Sequence, residues 1–296
     1  MDIFTHNNTE KPLFGPSGHS ESFAAEGHAS TMEMPEWLST RGLDLFEYSF
    51  GRGVNISSKT ASQIGEKCAQ FGIEMSVHAP YFINFASPEE QKAENSVGYI
   101  MSSLKILKAF GGKRCVFHAG AQGGAAREEA FARTKAKFAE TLELISTHPE
   151  YSNLIICPET MGKQAQIGTI DEVIELCNMG DNVYPCVDFG HVNSLYGGIL
   201  KTAGDFENII KRLFDGVGEK KTRNMHVHFS KIQFGAKGEI RHLTFADNIY
   251  GPEFEPFAEI IVKYGLAPHI LSESAGTQAE DSAFMKKVWQ NLANQH

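Results

Sequence analysis

The sequence predicts a single α/β domain, a (β/α)8 or TIM barrel, that spans residues 1–296 with residues 1–10 as a loose N-terminal tail. Short apolar segments alternate with longer segments of helical periodicity along almost the whole chain, and there are eight of each. Side chains that can bind metals also follow the predicted strands, as expected where barrel strands end at a shared mouth. The alternative is an open doubly wound sheet, but Gly15–Gly18 lacks the G-x-G-x-x-G pattern that its first turn would need.

The eight predicted strands are short, rich in Val, Ile, Leu or Phe, and bounded by Gly, Pro or polar residues. Such apolar runs are typical of strands that are buried on both faces of a parallel sheet. They are Lys11–Gly15, Leu43–Tyr48, Glu74–His78, Arg114–His118, Leu154–Glu159, Val183–Asp188, Met225–His228 and His269–Glu273.

The predicted helices place apolar residues at helical spacing; in one of them Phe131, Phe138 and Ile145 share a face. Glycine-rich stretches at 120–126, 196–198 and 234–238 are expected to be loops that follow strands. The helices are Met34–Thr40, Ser57–Phe71, Pro88–Phe110, Arg127–Ser146, Ile170–Cys177, Asp205–Phe214, Glu253–Tyr264 and Glu280–Ala293.

Charge and cysteine content limit the possible partners and compartment. The 27 basic and 36 acidic residues give a formal net charge of −9, without a basic tail. Any contact with nucleic acid must therefore come from a local patch or from bound cations. The five scattered cysteines indicate buried thiols in a cytoplasmic protein. No apolar run reaches the length of a membrane-spanning helix, so no membrane contact is expected.

Six predicted strands in succession end in, or are followed closely by, His, Asp or Glu. These residues are His78, His118, Glu159, Asp188, His191, His226, His228 and Glu273, and His242 lies in the loop after the seventh strand. Imidazoles mixed with carboxylates suit zinc, manganese or iron. Their number exceeds the needs of one tetrahedral ion, which indicates two or three ions. Such clusters suit reactions at phosphodiesters more than reactions at carbonyl groups.

Several segments resemble the endonuclease IV family, which are apurinic/apyrimidinic endonucleases of the xylose-isomerase-like barrel superfamily. The resemblance runs from about the second strand to the C-terminus. The segments are Ser76–Asn84 (SVHAPYFIN), Val116–Gly120, Pro158–Thr160, Val187–His191 and Leu271–Glu273.

The resemblance implies three zinc ions, with manganese or another divalent ion as a substitute. It places His78 and His118 on the first ion, with Glu159 as a bridge to the second. Asp188, His226 and Glu273 would complete the second ion, and His191 and His242 would hold the third. The implied reaction, with Glu159 and Glu273 as catalytic carboxylates, hydrolyses damaged duplex DNA 5′ to an abasic site in base-excision repair.

One departure concerns the third ion. The family has an Asp-Arg-His triplet where this chain reads Ile240-Arg241-His242, so the carboxylate is absent from its usual place. Glu239, one residue earlier, and His228 are therefore predicted as possible extra ligands.

Residues in the mouth loops are predicted to contact DNA. Tyr81 matches a family tyrosine next to the DNA, and cationic side chains could form a rim that binds phosphates. The cations of this rim are Arg52, Lys163, Lys231 and Arg241, and Arg52, Lys231 and Arg241 are the predicted contacts. The protein is expected to act as a monomer.

Two other functions remain open at this stage. Glu159, Asp188, His226 and Glu273 would equally suit a sugar or sugar-phosphate isomerase or epimerase that uses one divalent ion. A metal-bound barrel without catalytic activity is the third possibility. Glu47 and His19 also point at the mouth and are expected to make structural hydrogen bonds.

Overall fold

The computed structural model describes residues 10–295, and its eight parallel strands form a barrel. The expected tail at residues 1–10 lies almost wholly outside the described residues. In chain order the barrel strands are β1 (Leu13–Pro16), β2 (Leu45–Ser49), β3 (Glu74–His78), β4 (Arg114–Phe117), β5 (Ile155–Pro158), β6 (Cys186–Asp188), β7 (His226–Phe229) and β10 (His269–Ser272).

The strands pair as two four-stranded parallel sheets, in the orders β2-β3-β4-β5 and β1-β10-β7-β6. An isolated parallel bridge between Ser17 and Glu47 joins β1 to β2, and one between Glu159 and Cys186 joins β5 to β6. These two junctions close the barrel, which confirms the predicted fold class.

Ten α-helices within the described residues pack around the barrel, together with two 3-10 helices, Thr31–Glu33 and Pro149–Tyr151. The α-helices are α1 (Glu21–Ala25), α2 (Met34–Thr40), α3 (Ser58–Phe71), α4 (Glu90–Ala109), α5 (Arg127–Ser146), α6 (Ile170–Cys177), α7 (Phe189–Leu195), α8 (Ala203–Arg223), α9 (Glu255–Tyr264) and α10 (Gln278–Ala293). In α5 the predicted apolar face is the buried one, with Phe131, Phe138 and Ile145 turned inward.

Three predictions of local structure were wrong or incomplete. The stretch 234–238, expected to be a loop, forms the turn of an antiparallel hairpin, β8 (Ile232–Gly235) and β9 (Gly238–His242). His242 therefore ends a strand. The helix expected at 205–214 continues to Arg223 across a kink at Gly218, where φ is 81°. The short helices α1 and α7 were not predicted.

Alternation along the strands places many buried polar groups inside the barrel, beside a small apolar cluster that includes Val116, Cys157 and Cys186. Val77, Val187 and Val227, on three different strands, are buried in the apolar core. Their neighbours along the same strands, Ser76, Asp188 and His226, are buried polar groups on the opposite face. The five cysteines are free and buried. No helix within residues 10–295 is long and apolar enough to cross a membrane.

Candidate metal centre

Within residues 10–295, five groups of side chains have the composition of metal sites. Two of them are His78, His228 and Glu273 and, deeper in the barrel, Cys186, His226 and His228. The other three adjoin one another at the mouth. In each group the potential ligand atoms lie within 4.8 Å of one another. The first contains His78, His118 and Glu159; the second contains Glu159, Asp188, His228 and Glu273; the third contains His191, Glu239 and His242. Glu159 belongs to both the first and the second group.

The first group directs two imidazole nitrogens at one carboxylate oxygen. His78 Nε2 and His118 Nε2 each lie 3.0 Å from Glu159 Oε2. His78 Nδ1 donates a hydrogen bond to the Ala79 carbonyl at 2.9 Å, which leaves Nε2 as the nitrogen that faces the group.

The second group uses the other oxygen of Glu159. His228 Nδ1 lies 3.1 Å from Glu159 Oε1 and 3.5 Å from Glu273 Oε1. Asp188 caps α7, and its Oδ1 accepts a hydrogen bond from the His191 amide at 2.7 Å. Within residues 10–295, the buried Asp188 Oδ2 has no hydrogen-bond partner, and His191 Nδ1 lies 3.4 Å from it as an ion-pair partner. A buried carboxylate oxygen left in this state is costly unless a cation compensates it, so this donor set fits a divalent ion.

The third group is built from α7 and the hairpin. His191 Nε2 lies 3.5 Å from Glu239 Oε2, and His242 Nε2 lies 3.9 Å from Glu239 Oε1. His191 Nδ1 donates to the Thr160 carbonyl at 2.9 Å, and His242 Nδ1 lies 2.8 Å from Ser230 Oγ. Both rings are thus held with Nε2 towards Glu239.

A β-bulge brings Glu239 onto the same side as His242. Phe234 pairs with Glu239 and Gln233 with Arg241, so Ile240 is an extra residue without a partner in the hairpin. Residues three apart on a regular strand face opposite sides, but the bulge adds one residue and restores a common face. The exposed Ile240 occupies the extra position, and Glu239 supplies the carboxylate expected to be missing.

The structure places His226 outside the second group, to which the resemblance assigned it, and beside Cys186 and His228. His228, rather than His226, lies with Glu159, Asp188 and Glu273. His226 lies two residues earlier on β7 and deeper in the barrel, where its Nε2 donates to Glu47 Oε2 at 3.0 Å. Burial lowers the pKa of His226 to about 4, so the ring is neutral there.

The two residues expected to make structural hydrogen bonds do so. Glu47 is fully buried below the groups, and the His19 ring stacks on Phe23 and Phe46. His19 Nε2 lies 3.3 Å from Thr31 Oγ1.

Carboxylates and imidazoles shift one another's pKa values in the mouth. Burial acts to lower the pKa of His78, yet Glu159 and the neighbouring carboxylates raise it to about 9. Burial likewise opposes the rise at His191, but Asp188 and Glu159 bring its pKa to about 10. Burial raises the pKa of Asp188. The negative charge of these buried carboxylates is stabilised by nearby positive charge, which either protonated imidazoles or bound metal ions can provide.

The mouth is an open cavity of about 390 Å³, lined by residues of the first and third groups. At its rim Arg52 Nε donates to Tyr81 Oη at 3.0 Å, and Tyr81 is half exposed. The ring of Phe82, also half exposed, lies 4.5 Å from that of Tyr81. Phe82 was not among the predicted contacts, although it lies within the segment that carries the family resemblance.

The predicted cationic contacts differ in their surroundings. Arg241 is exposed, and its Nε donates to Gln233 Oε1 at 2.8 Å. Lys231 is only 4% exposed, and its Nζ donates to Glu253 Oε1 and to the Asp247 carbonyl, both at 2.7 Å. Lys231 therefore supports the loop after the hairpin, and the prediction that it contacts DNA is corrected. Lys163, which is exposed and lines the cavity, is better placed for that role.

Comparisons with known proteins agree with this fold. A family model described as xylose isomerase-like TIM barrel matches residues 35–288. The chain is 32% identical over 236 residues to an uncharacterized protein of Methanocaldococcus jannaschii, covering 80% of this chain and 82% of that protein. It is 30% identical over 207 residues to a probable endonuclease 4 of Aquifex aeolicus, covering 69% of this chain and 71% of the relative.

Two solved structures share the fold. Endonuclease IV from Thermus thermophilus has a TM-score of 0.68 at 18% identity and covers 96% of this chain and 100% of its own. A D-tagatose 3-epimerase-like protein has a TM-score of 0.72 at 19% identity, and the match covers 96% of this chain and 98% of that protein.

Proposed function

Because the chain belongs to the xylose isomerase-like TIM barrel family and its relatives include probable endonuclease 4 sequences, we propose that it is a metal-dependent apurinic/apyrimidinic endonuclease. Its substrate would be duplex DNA that contains an abasic site, cleaved on the 5′ side of the lesion. Since one chain supplies every side chain of the three groups, a cytoplasmic monomer suffices for the activity.

The arrangement of three ligand groups around Glu159 supports this proposal most strongly. An enzyme that uses a single ion needs only the second group. The five side chains beyond that group, two in the first and three in the third, are accounted for by two further ions. Zinc suits these imidazole and carboxylate donors, and manganese can replace it.

The residues of the chain have separable tasks in this mechanism. When bound, closely spaced divalent ions stabilise the attacking and leaving oxygens of a phosphodiester. Glu159 joins the first two groups through its two oxygens, and Glu273 completes the second at the mouth. The Ala79 and Thr160 carbonyls fix the rings of His78 and His191.

The rim provides contacts for DNA on an acidic protein. Lys163 lines the mouth and Arg52 contacts Tyr81 at its rim, so these two exposed cations can pair with phosphates. Arg241 is an exposed cation on the hairpin beside the mouth. The exposed rings of Tyr81 and Phe82 can stack on bases next to the lesion. Extrusion of the abasic nucleotide costs least because no base has to be unpaired.

A sugar epimerase is the second candidate. The observation in its favour is that Glu159, Asp188, His228 and Glu273 form a complete site for one ion without help from the other groups. An epimerase of this kind would not explain the remaining side chains of the first and third groups, which are His78, His118, His191, Glu239 and His242.

A nicking assay distinguishes the two candidates. Duplex DNA with a tetrahydrofuran abasic-site analogue is incubated with zinc-loaded or manganese-loaded protein, with chelated protein, and beside an undamaged duplex. We expect cleavage of the damaged strand alone, and only with metal. Absence of cleavage together with turnover of a ketose or sugar phosphate would favour the epimerase.

A further inference from the structure

Directly below the second ligand group, one buried carboxylate accepts four hydrogen bonds. Glu47 Oε1 accepts from His228 Nε2 at 2.8 Å and from Ser17 Oγ at 3.0 Å. Glu47 Oε2 accepts from His226 Nε2 at 3.0 Å and from Ser76 Oγ at 2.9 Å. Glu47 is 0% exposed, and the donors come from both sheets of the barrel and from the end of β1.

The hydrogen bond from His228 determines which of its nitrogens faces the ligand group. A carboxylate can only accept, so Nε2 must carry a proton. The other nitrogen, Nδ1, points at Glu159 Oε1 and Glu273 Oε1. A histidine binds a metal through an unprotonated nitrogen, and a hydrogen bond from the opposite nitrogen fixes tautomer and ring orientation.

We propose that Glu47 is a positioning residue: it holds the His228 ring so that Nδ1, and not Nε2, is the metal-binding nitrogen. This inference rests on the proposed function, because it presupposes an ion in the second group. Glu47 is not a ligand itself, since His228 lies between it and that group.

The hydrogen bond from His226 explains why residue 47 has to be a carboxylate rather than an amide. His226 occupies Oε2 while His228 occupies Oε1, so each oxygen accepts from one ring. A glutamine has one acceptor oxygen and one NH2 group, so it cannot accept from both rings at once. Glu47→Gln therefore keeps the volume of the side chain but, in either orientation of the amide, replaces the charged acceptor of the His228 ring by a neutral oxygen or by an NH2 donor.

Zinc affinity measured by chelator competition tests the proposal, with Glu47→Gln compared against Ser76→Ala. The control removes one hydrogen bond to Glu47 and leaves both histidine bonds in place. We expect Glu47→Gln to bind one ion per chain about 10–100-fold more weakly. Ser76→Ala should stay close to the wild type. Equal affinity of the wild type and Glu47→Gln would overturn the proposal.

Melting temperatures separate positioning from a merely structural role. Each variant is melted with zinc and with chelator. A positioning role reduces the increase in Tm that zinc produces, whereas a structural role lowers both Tm values equally and contradicts the proposal.

Nitrogen NMR of the zinc-loaded wild type tests the proposal even where Glu47→Gln fails to fold. We expect one histidine that binds zinc through Nδ1 and retains a protonated Nε2, and this signal should disappear in His228→Gln. Zinc bound by every histidine through Nε2 overturns the positioning role. A wild type that binds no zinc, manganese or cobalt contradicts the proposed function, and the positioning role fails with it.

Discussion

Glu159 is the side chain shared by the first and second ligand groups. Its Oε2 lies 3.0 Å from His78 and His118, and its Oε1 lies 3.1 Å from His228. We expect Glu159→Gln to lose metal and DNA cleavage, because an amide lacks the charge needed to join two cations. The overall fold should survive. Elemental analysis and circular dichroism check this, and a variant with full metal content and activity would contradict the assignment.

The two histidines of β7 give a matched pair of variants. We expect His228→Asn to lower the metal content by about one ion, because its Nδ1 faces the second group. His226→Asn should keep all its ions, because His226 contacts Glu47 and lies below the group. Metal content per chain is the measurement. Equal losses in both variants would show that β7 contributes to the centre through its packing.

The kinds of residue in the centre could be predicted from the sequence, but their depth in the barrel could not. His226 and His228 share one face of a strand, so alternation does not distinguish them. They differ by two residues, roughly 6.6 Å along the strand. Which of them reaches the level of Asp188 depends on the pairing of β6 with β7, where Asp188 lies opposite His228. Strand register is a property of the assembled barrel.

The bulge in the hairpin makes a prediction at the scale of one element. Deletion of Ile240 should give a regular hairpin in which Glu239 and His242 still face the same side, now two residues apart. We therefore expect this deletion to retain the metal content and DNA cleavage of the wild type. Glu239→Ala, with the bulge intact, should lose about one ion. Loss of the ion in the deletion as well would mean that the bulge itself shapes the third group.

The start of α6 gives a prediction about pH. Arg127 Nε and Nη2 each donate to the Glu172 carboxylate at 2.8 Å, and this carboxylate also accepts from the backbone of Thr169. Burial acts to raise the pKa of Glu172, but these hydrogen bonds outweigh it and lower the pKa below 4.5. A lowered pKa in the folded state stabilises the protein above the pKa of the unfolded state. That contribution disappears as the pH falls through the folded-state value.

We expect Glu172→Gln to lower the free energy of unfolding by about 1 kcal/mol at neutral pH, because the amide loses the ion pair with Arg127 although it can still accept from the Thr169 amide. Urea denaturation at neutral and acidic pH measures the difference from the wild type. This difference should shrink at acidic pH. A difference that is independent of pH would show that the charge of Glu172 contributes nothing.

Elements with strong local signals could be predicted to within a residue or two. The bounds expected for α2, α5 and α6 agree with the structure. The helix α7 could not be recognised because it has seven residues and begins directly after β6. The hairpin was not predicted because its glycines are typical of a loop. Its position depends on contacts with the loop after β5, which the sequence does not show. Glu239 N donates to the Gly162 carbonyl at 2.9 Å, and Gly238 pairs with Lys163.

At the scale of the whole molecule, the proposed function requires an acidic barrel with a net charge of −9 to attract a polyanion. Three divalent ions would add six positive charges, all at the mouth where the strands end. The DNA-binding face would then differ in charge from the rest of the surface, and it would do so only with metal bound. The central claim about this protein is therefore that it binds three divalent ions.

The metal content per chain tests that claim most directly. Protein loaded with zinc, freed of excess metal by dialysis and analysed for zinc per chain should contain close to three ions. Glu239→Ala should contain about one fewer. A value near one ion in the wild type, unchanged in Glu239→Ala, would contradict the account, because Glu159, Asp188, His228 and Glu273 alone would then form the whole site.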